Sequence, residues 1–475
     1  MPFKDVRQFI AALEQHGELV RIREEVDWNL EAGAILRRSH EERLPAPFFE
    51  KVKDYPASYK LCGGILANHR RLAIAMDLHP DTPPRKLQEE YLKRTKNPIK
   101  PVVVSDGPCK ENIQVGDQVD LFQFPVPLIH GGDGGRYIAT FHLNISKDPE
   151  TDWVNWGMYR GMLHDKRRVG VTGDPATNFG GMLVRYEGLN KPMPTAIAIG
   201  VEPISFFCSA SPIPHGVSEV DVAGGIRGEP IELVRCETVD VLVPATSEIV
   251  IEGEMWPHDR LEDGPFGEFT GYQTAGKLPR PVMRVTAVTY RNNPIFTFSN
   301  EGMPLADSHS MISISKGAEC LEALRKAGIP VTGVCVPPED AIMLIVVAVK
   351  AAYAGIASDV AHVIWSVRAS RSASYLIVVD HDVDPFNPTQ VMHALVSKCH
   401  PSKGIIKIEP VPTISYIPWA NEHERKYRIG AKTYFDCTWP RDWEPSEVPV
   451  RASFADIYPS EVQEAALAKW RQYGY

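Results

Sequence analysis

Long hydrophobic runs are missing from this 475-residue chain. No stretch approaches the roughly 18 to 20 uninterrupted apolar residues that a membrane-crossing helix needs, and the longest, such as Ala341 to Val349, are strand-sized. An excess of positive charge is also missing: Lys+Arg 51 against Asp+Glu 60 leaves −9, which removes the electrostatic basis for binding nucleic acid. The eight cysteines (Cys62, Cys109, Cys208, Cys236, Cys320, Cys335, Cys399, Cys437) form no C-x-x-C and no cluster, so free thiols are expected rather than a cysteine-built zinc site. There is no G-x-x-x-x-G-K-[ST], no H-E-x-x-H and no G-x-S-x-G, and phosphate-loop enzymes, zincins and the α/β-hydrolase elbow lose their usual support. Internal repeats and low-complexity tracts are absent. The opening Met1-Pro2-Phe3-Lys4-Asp5-Val6-Arg7 lacks the charged-then-apolar order of a signal peptide and is soon followed by Glu14 and Glu18. The expectation is a cytoplasmic protein with no membrane segment.

What is present is the composition of a globular chain, 44% hydrophobic and 23% charged, long enough for about two to four domains. Residues 1–110 read as α/β. Asp5 stands as an N-cap before Val6, Phe9, Ile10 and Leu13 at helical spacing, Gly17 stops that helix, Leu19 to Ile22 is a strand, and Leu30 to Ser39 and Pro84 to Lys93 are helices. Residues 111–315 are dominated by Gly, Pro and short extended runs: Tyr137 to Ile145, Trp153 to Leu163, Thr195 to Gly200, Ile249 to Met255, Val282 to Tyr290 and Ile295 to Phe298. Many short strands with turn punctuation predict a barrel or sandwich-like sheet. Residues 316–475 alternate helix and strand, which predicts a second α/β unit. There Asn387 before Pro388 is a strong helix start, and Ser460 with Gln463 is read as a capping box for a terminal helix reaching Tyr473.

Three segments carry chemistry. In Arg260 to Tyr272, Asp263 and Glu268 bracket Gly-Pro-Phe-Gly. Such a turn can bring two carboxyl groups toward one cleft and raise the proton affinity of one of them, as a general acid requires, or it can be an acidic surface turn. In Trp153 to Arg160, Asn155 and Arg160 sit among aromatic residues. The guanidinium fork suits a substrate carboxylate or a structural ion pair, and the five-residue spacing demands a break in the strand if both are to serve one site. In Ser211 to Glu219 a Pro-rich turn presents Glu219. The cluster Gly131 to Gly135 offers either close approach of an anion or another chain, or a hairpin entry.

Taken together, Trp153 to Asp165, Pro212 to Gly225, Leu261 to Tyr272, Ser299 to Ser310 and Val378 to Phe386 resemble the UbiD family of reversible decarboxylases that use prenylated FMN. The opening helix and closing Lys469 to Tyr475 look like its ferulic acid and aromatic acid decarboxylase branch. The resemblance implies an α/β (α+β) chain with a central split β-barrel, FMN-binding-like domain over 111–315 and a C-terminal α/β oligomerisation domain. It also implies a carboxy-lyase acting on an aromatic or heteroaromatic acid. An α,β-unsaturated acid, an FMN redox enzyme and a non-catalytic subunit are the competing readings.

By position, the resemblance makes Glu268 the proton donor, Arg160 the carboxylate-orienting residue and Asp263 the second acid of their network. Contacts to the cofactor fall on Asn155, Trp156, Arg160, Ser211, Pro212, Glu219 and Arg368, with Arg371 a close competitor for the phosphate. A divalent metal, Mn2+ or Mg2+, falls to Asn155, Glu219 and, where the family has histidine, Asn178. Amide and carboxylate oxygens suit such hard cations, and K+ is a further candidate ion. The pocket is expected near Thr172, Asp174, Thr177, Met303 to Met311 with His309, and Trp439. His309 either poises a substrate group or is a hydrogen-bonded core histidine. The implied partners are a small carboxylic acid, CO2, a flavin prenyltransferase as cofactor supplier, and further copies of the chain in a homodimer or homohexamer.

Overall fold

The computed structural model describes residues 2–274, 276–350 and 352–475. The opening helix Val6–Gln15 begins where Asp5 accepts the Gln8 N–H, and its stripe of Val6, Phe9, Ile10 and Leu13 is buried. It packs beside a four-stranded sheet ordered Leu19–Val26, Ala46–Val52, Lys60–Gly63 and Ile295–Phe298. The last strand arrives from far along the chain to pair in parallel with Lys60–Gly63. That return delivers the loop after Phe298 to the cleft described below.

The central sheet has nine strands, and every pairing in it is antiparallel. Its spine is the pair Ile249–Asp263 and Leu278–Tyr290. The free edge of Leu278–Tyr290 is split between Arg168–Val171 and Asn112–Val115, so the sheet curls into a half-barrel. Inside it lie Ile197, Ile199, Ile251, Met255, Met283 and Val288, all almost wholly buried. Two of the expected continuous strands are broken. Tyr137–Ala139 and His142–Lys147 belong to different places in the sheet, and Val154–Gly157 is separated from Gly161–Asp165 by the residues that include Arg160.

Three helices interrupt a region that reads as strands: Asn178–Gly188, Pro203–Ala210 and Glu219–Arg227. Their glycines serve close packing rather than turning. A side chain at Gly180 would meet the Asp174 carbonyl oxygen at 2.0 Å, and at Gly224 the Ile99 carbonyl oxygen at 2.3 Å. The C-terminal unit has a five-stranded mixed sheet, ordered Val331–Cys335, Leu344–Val349, Tyr375–Asp380, Ile429–Cys437 and Ile405–Pro412. Asn387 caps Pro388–Ser397 by accepting from Thr389 and Gln390 N–H, worth about 1 kcal/mol. The capping box at Ser460 is not formed. Pro459 occupies the capping position, Ser460 is already helical, and the Gln463 amide donates instead to the Ala455 and Tyr458 carbonyls. The terminal helix therefore ends at Ala468 and continues as a 3-10 turn, Trp470–Tyr473. Among the described residues no helix is long and apolar enough to cross a membrane.

Candidate active site

The cleft lies between the half-barrel, the long helix Asp307–Lys326 and the C-terminal unit. It consists of a cavity of about 430 Å³ and a smaller one of about 250 Å³ that share Tyr159, Ser209, Ala210, Ser211, Phe269, Ile312 and Ser372, and so form one continuous space.

Arg160 occupies the larger end. The ladder stops at Gly157, where any side chain would collide with the Tyr159 ring at 2.3 Å. The three residues that follow leave the ladder, so Arg160 lines the larger end of the cleft and Asn155 the smaller, which supplies the break that their spacing demands. The guanidinium pairs with Glu268 and lies 3.5 Å from Asp263, with the Phe266 and Tyr416 rings 5.3 and 5.6 Å from it. Asp263 ends its strand and Gly264 takes a φ of 99°, so the following Pro265-Phe266-Gly267 folds Glu268 back onto the arginine. The glycine cluster backs this turn. Gly134 donates to the Pro265 carbonyl, and a side chain there would strike the Gly264 carbonyl oxygen at 2.0 Å. The chain that approaches the cluster closely is thus the acidic loop itself.

Burial raises the Glu268 pKa to about 6, against the attraction of Arg160 and with a contribution from the charge of Glu301. Asp263 is raised by burial too, although Arg160 opposes it. Burial works against the charge on Arg160, but Glu268, Tyr416 and Asp263 outweigh it and leave its pKa raised. Among the described residues, Arg160 Nε and Asp263 Oδ2 are buried here without a hydrogen-bond partner.

The smaller end has a different chemistry. Asn178 and Glu219 are the first residues of two helices, one capped by Thr177 and one following Ser218. Glu219 accepts the Trp156 N–H at 2.8 Å, and burial raises its pKa to about 8. The Asn178 amide oxygen accepts from Arg368 at 2.5 Å and stands 3.4 Å from the His215 Nδ1. Among the described residues the Asn155 amide nitrogen and the Trp156 indole N–H are buried without hydrogen-bond partners. Lys316, from the middle of the long helix, donates to the Ile342 carbonyl at 2.9 Å and to Ser372 Oγ at 2.8 Å, and burial lowers its pKa to about 8. Ser211 and Pro212 complete this end. Arg371 reaches instead toward the Ala176 carbonyl, leaving Arg368 as the arginine that lines the cavity.

Of the residues expected in the pocket, Thr172, Asp174 and Thr177 line the larger cavity, as does Ser308 from the Met303 to Met311 stretch. His309 stands behind the wall. It is fully buried, its Nε2 is 2.6 Å from the Phe269 carbonyl, and it is a hydrogen-bonded core histidine. Trp439 is not in the cleft. Its backbone N–H bonds Asp380, its ring stacks with Lys398, and it lines a separate surface groove at the end of the C-terminal sheet. Ile414 and Tyr416, which follow the edge strand Ile405–Pro412, take the place expected for it. Sequence reasoning also missed Lys316 and Glu301. The lysine stands at the first position of the stretch expected to alternate helix and strand and has, among the described residues, no acidic partner to mark it, and the glutamate stands in a stretch noted for likeness rather than for its charge.

Comparison with known proteins agrees with this architecture. Three family profiles match in order: the 3-octaprenyl-4-hydroxybenzoate carboxy-lyase N-terminal domain over residues 10–91, the Rift-related domain of the same family over 100–304, and its C-terminal domain over 309–437. The chain is 31% identical to a pyrrole-2-carboxylic acid decarboxylase of Pseudomonas aeruginosa, covering 99% of this chain and 98% of that one. The closed form of the vanillic acid decarboxylase of Sedimentibacter hydroxybenzoicus superposes with a TM-score of 0.90 at 30% identity, covering 99% of each chain. An evolved dimeric form of the UbiD-class enzyme HmfF of Pelotomaculum thermopropionicum, in complex with prFMN (prenylated FMN), gives 0.79 at 28% identity over 94% of this chain and 97% of that one. The chain belongs to the UbiD family of carboxy-lyases.

Proposed function

We propose that the protein is a reversible, non-oxidative decarboxylase of an aromatic or heteroaromatic carboxylic acid, working with prenylated FMN and a divalent cation. The observation that carries this reading is the buried Arg160–Glu268 pair facing a cavity whose far end holds buried acidic and basic side chains that form no salt bridge with one another.

The residues at that far end fit the cofactor. Lys316 and Arg368 are cationic side chains held by neutral acceptors, which suits a phosphate. Glu219 is a buried carboxyl group that accepts the Trp156 N–H, and it lines one cavity with Asn155 and Asn178, whose amide oxygens would complete an oxygen donor set suited to a hard cation. Asn155, Asn178 and Glu219 would hold the cation, and Lys316, Arg368 and Ser211 would surround the phosphate. When bound, prenylated FMN supplies the electron sink that no side chain offers for a carbanion.

The protein's own groups do the rest. The Arg160 guanidinium orients the substrate carboxylate, and Phe266, Phe269, Ile312 and Ile414 enclose the ring and exclude water. As the bond between ring carbon and carboxylate breaks, CO2 leaves and its electron pair stays with the carbon. Glu268 then delivers a proton to that carbon. A pKa of about 6 suits this exchange near neutrality. The same groups run backwards take a proton away when CO2 is added. A space of about 430 Å³ has room for a one-ring acid.

The test is CO2 release from pyrrole-2-carboxylic, hydroxybenzoic and cinnamic acids by protein coexpressed with a flavin prenyltransferase. Turnover of a ring-borne carboxylate supports the reading. Turnover of cinnamic acid alone moves the substrate to the acrylic class, and no CO2 from any acid defeats it. Exposed Ile457, Leu467, Trp470 and Tyr473 near the C-terminus support assembly into a homo-oligomer. Light scattering in solution decides between dimer and hexamer.

A further inference from the structure

The larger cavity contains a carboxylate that the reaction leaves unused. Glu301 lies in the loop delivered by the strand Ile295–Phe298, three residues past its end, and lines the same space as Arg160 and Glu268. Two serines fix its orientation: Ser308 Oγ donates at 2.5 Å to one oxygen, and Ser299 Oγ stands 3.0 Å from the other, its single proton shared with Asp307 Oδ2 at 3.0 Å. Ser308 also lines the cavity, from the first turn of the long helix. Among the described residues Glu301 forms no salt bridge. The nearby Arg37 is committed to Glu41, at 3.4 Å, and to the Asn300 and Leu305 carbonyls.

A carboxylate offers about four acceptor positions, and two hydroxyl donors leave room for more. Facing the apolar walls Phe266, Phe269 and Ile312, and attracted by Arg37 only through space, an acceptor that no cation hydrogen-bonds among the described residues gains most from a donor brought by the ligand. Its charge also raises the proton affinity of Glu268, so the two carboxylates act on one shared space. A plain hydrocarbon ring in this cavity would strip water from Glu301 and return nothing.

We propose that Glu301, held in place by Ser308, is the specificity-determining residue of the cavity, accepting a hydrogen bond from a ring N–H or phenolic O–H of the aromatic acid. The substrate class is thereby narrowed to hydrogen-bond-donating aromatic acids. This rests on the decarboxylase reading for the choice of ligand, but not for the measurement.

The experiment compares two matched pairs of acids that differ in a donor: pyrrole-2-carboxylic against furan-2-carboxylic acid, and 4-hydroxybenzoic against 4-fluorobenzoic acid. Dissociation constants are measured by calorimetry on the flavin-loaded protein, with CO2 release recorded in parallel, for wild type, Glu301→Gln and Glu301→Leu. The expected result is a preference for the donor of about 100-fold in at least one pair. It should shrink in Glu301→Gln, which keeps a neutral acceptor, and collapse to within a few-fold in Glu301→Leu. Thermal melting checks that each variant is folded, and Glu301→Gln, which conserves shape, carries the test if the leucine variant does not fold. Equal binding within both pairs by wild type overturns the proposal, as does a preference that survives the loss of the carboxylate. Discrimination in binding without CO2 from any acid would sink the decarboxylase reading and leave this one standing. CO2 from donor and non-donor acids alike would do the reverse.

Discussion

The two ends of the cleft handle buried charge in opposite ways. At the reaction end Arg160 lies between Glu268 and Asp263, so each charge has a counter-charge within the protein, and the rings of Phe266 and Tyr416 flank the guanidinium. At the other end, among the described residues, Lys316 hydrogen-bonds a carbonyl and a hydroxyl and no acid, and Glu219 accepts a backbone N–H and forms no salt bridge, with Arg368 attracting it only through space. A buried charge without a counter-charge costs several kcal/mol as a rough scale. The first set holds its own ion pairs, which a substrate carboxylate would have to share. The second would gain its counter-charges from ions brought from outside, as the proposed cofactor site requires.

That contrast can be broken most sharply at the reaction end. Glu268→Gln keeps the shape and a hydrogen-bonding partner for Arg160 but removes the proton, and CO2 release should fall about 10²- to 10⁴-fold with cofactor content unchanged. Isotope-labelled CO2 collection and flavin absorbance read the two quantities separately.

At the cofactor end Lys316→Met should do the converse. Losing a charge-assisted contact should weaken binding of FMN about tenfold or more, measured by fluorescence titration. The flavin-free protein should instead become more stable. The Lys316 pKa is lowered from 10.5 to about 8, so burying its charge costs about 3 kcal/mol at pH 7. The sign follows from the proton count. Between about 8 and 10.5 the unfolded chain holds a proton that the folded chain has shed, so the stability of flavin-free wild type should rise with pH across that window. In Lys316→Met this contribution is gone, and urea denaturation at several pH values checks it.

A smaller effect separates the ends by pH. The folded Glu268 carboxyl is raised from 4.5 to about 6, so its acid form prevails below about 6 and is lost as pH rises through that value. The kcat/KM profile should decline above pH 6 by up to tenfold per unit, a limb missing from the residual activity of Glu268→Gln. The smallest effect is predicted for Trp439→Ala. This residue lines neither end, and its replacement should leave KM for the acid within about twofold, as expected for a site outside the cavity.

How much of this was legible follows from which signals are local. The helix Val6–Gln15 carries its cap and its stripe in its own residues, and so does the start of Pro388–Ser397 at Asn387. The helices Pro203–Ala210 and Glu219–Arg227 do not. The first is buried on nearly all sides and has no polar face to set a period, and the glycines of the second answer to Ile99 and Asn97 from another part of the chain. At the site, Glu268 and Asp263 stand out as candidates because carboxylates around a Gly-Pro-Phe-Gly turn form a dense local pattern, and Arg160 because it sits among aromatic residues, while their roles come from the family resemblance. Lys316 and Glu301 were not found, since their meaning comes from what surrounds them: a lysine without an acid, and an acid without a base. Trp439 was placed by position along the chain, and the strand Ile429–Cys437 carries it past the end of the sheet, away from the cleft.

The measurement that bears most directly on the account is the composition of the purified protein after coexpression with a flavin prenyltransferase, by mass analysis of the released flavin together with metal content. The account predicts one prenylated FMN and one divalent cation per chain, both reduced in Lys316→Met and both retained in Glu268→Gln. A protein that holds neither flavin nor metal, or that loses both when Glu268 is replaced, would contradict it.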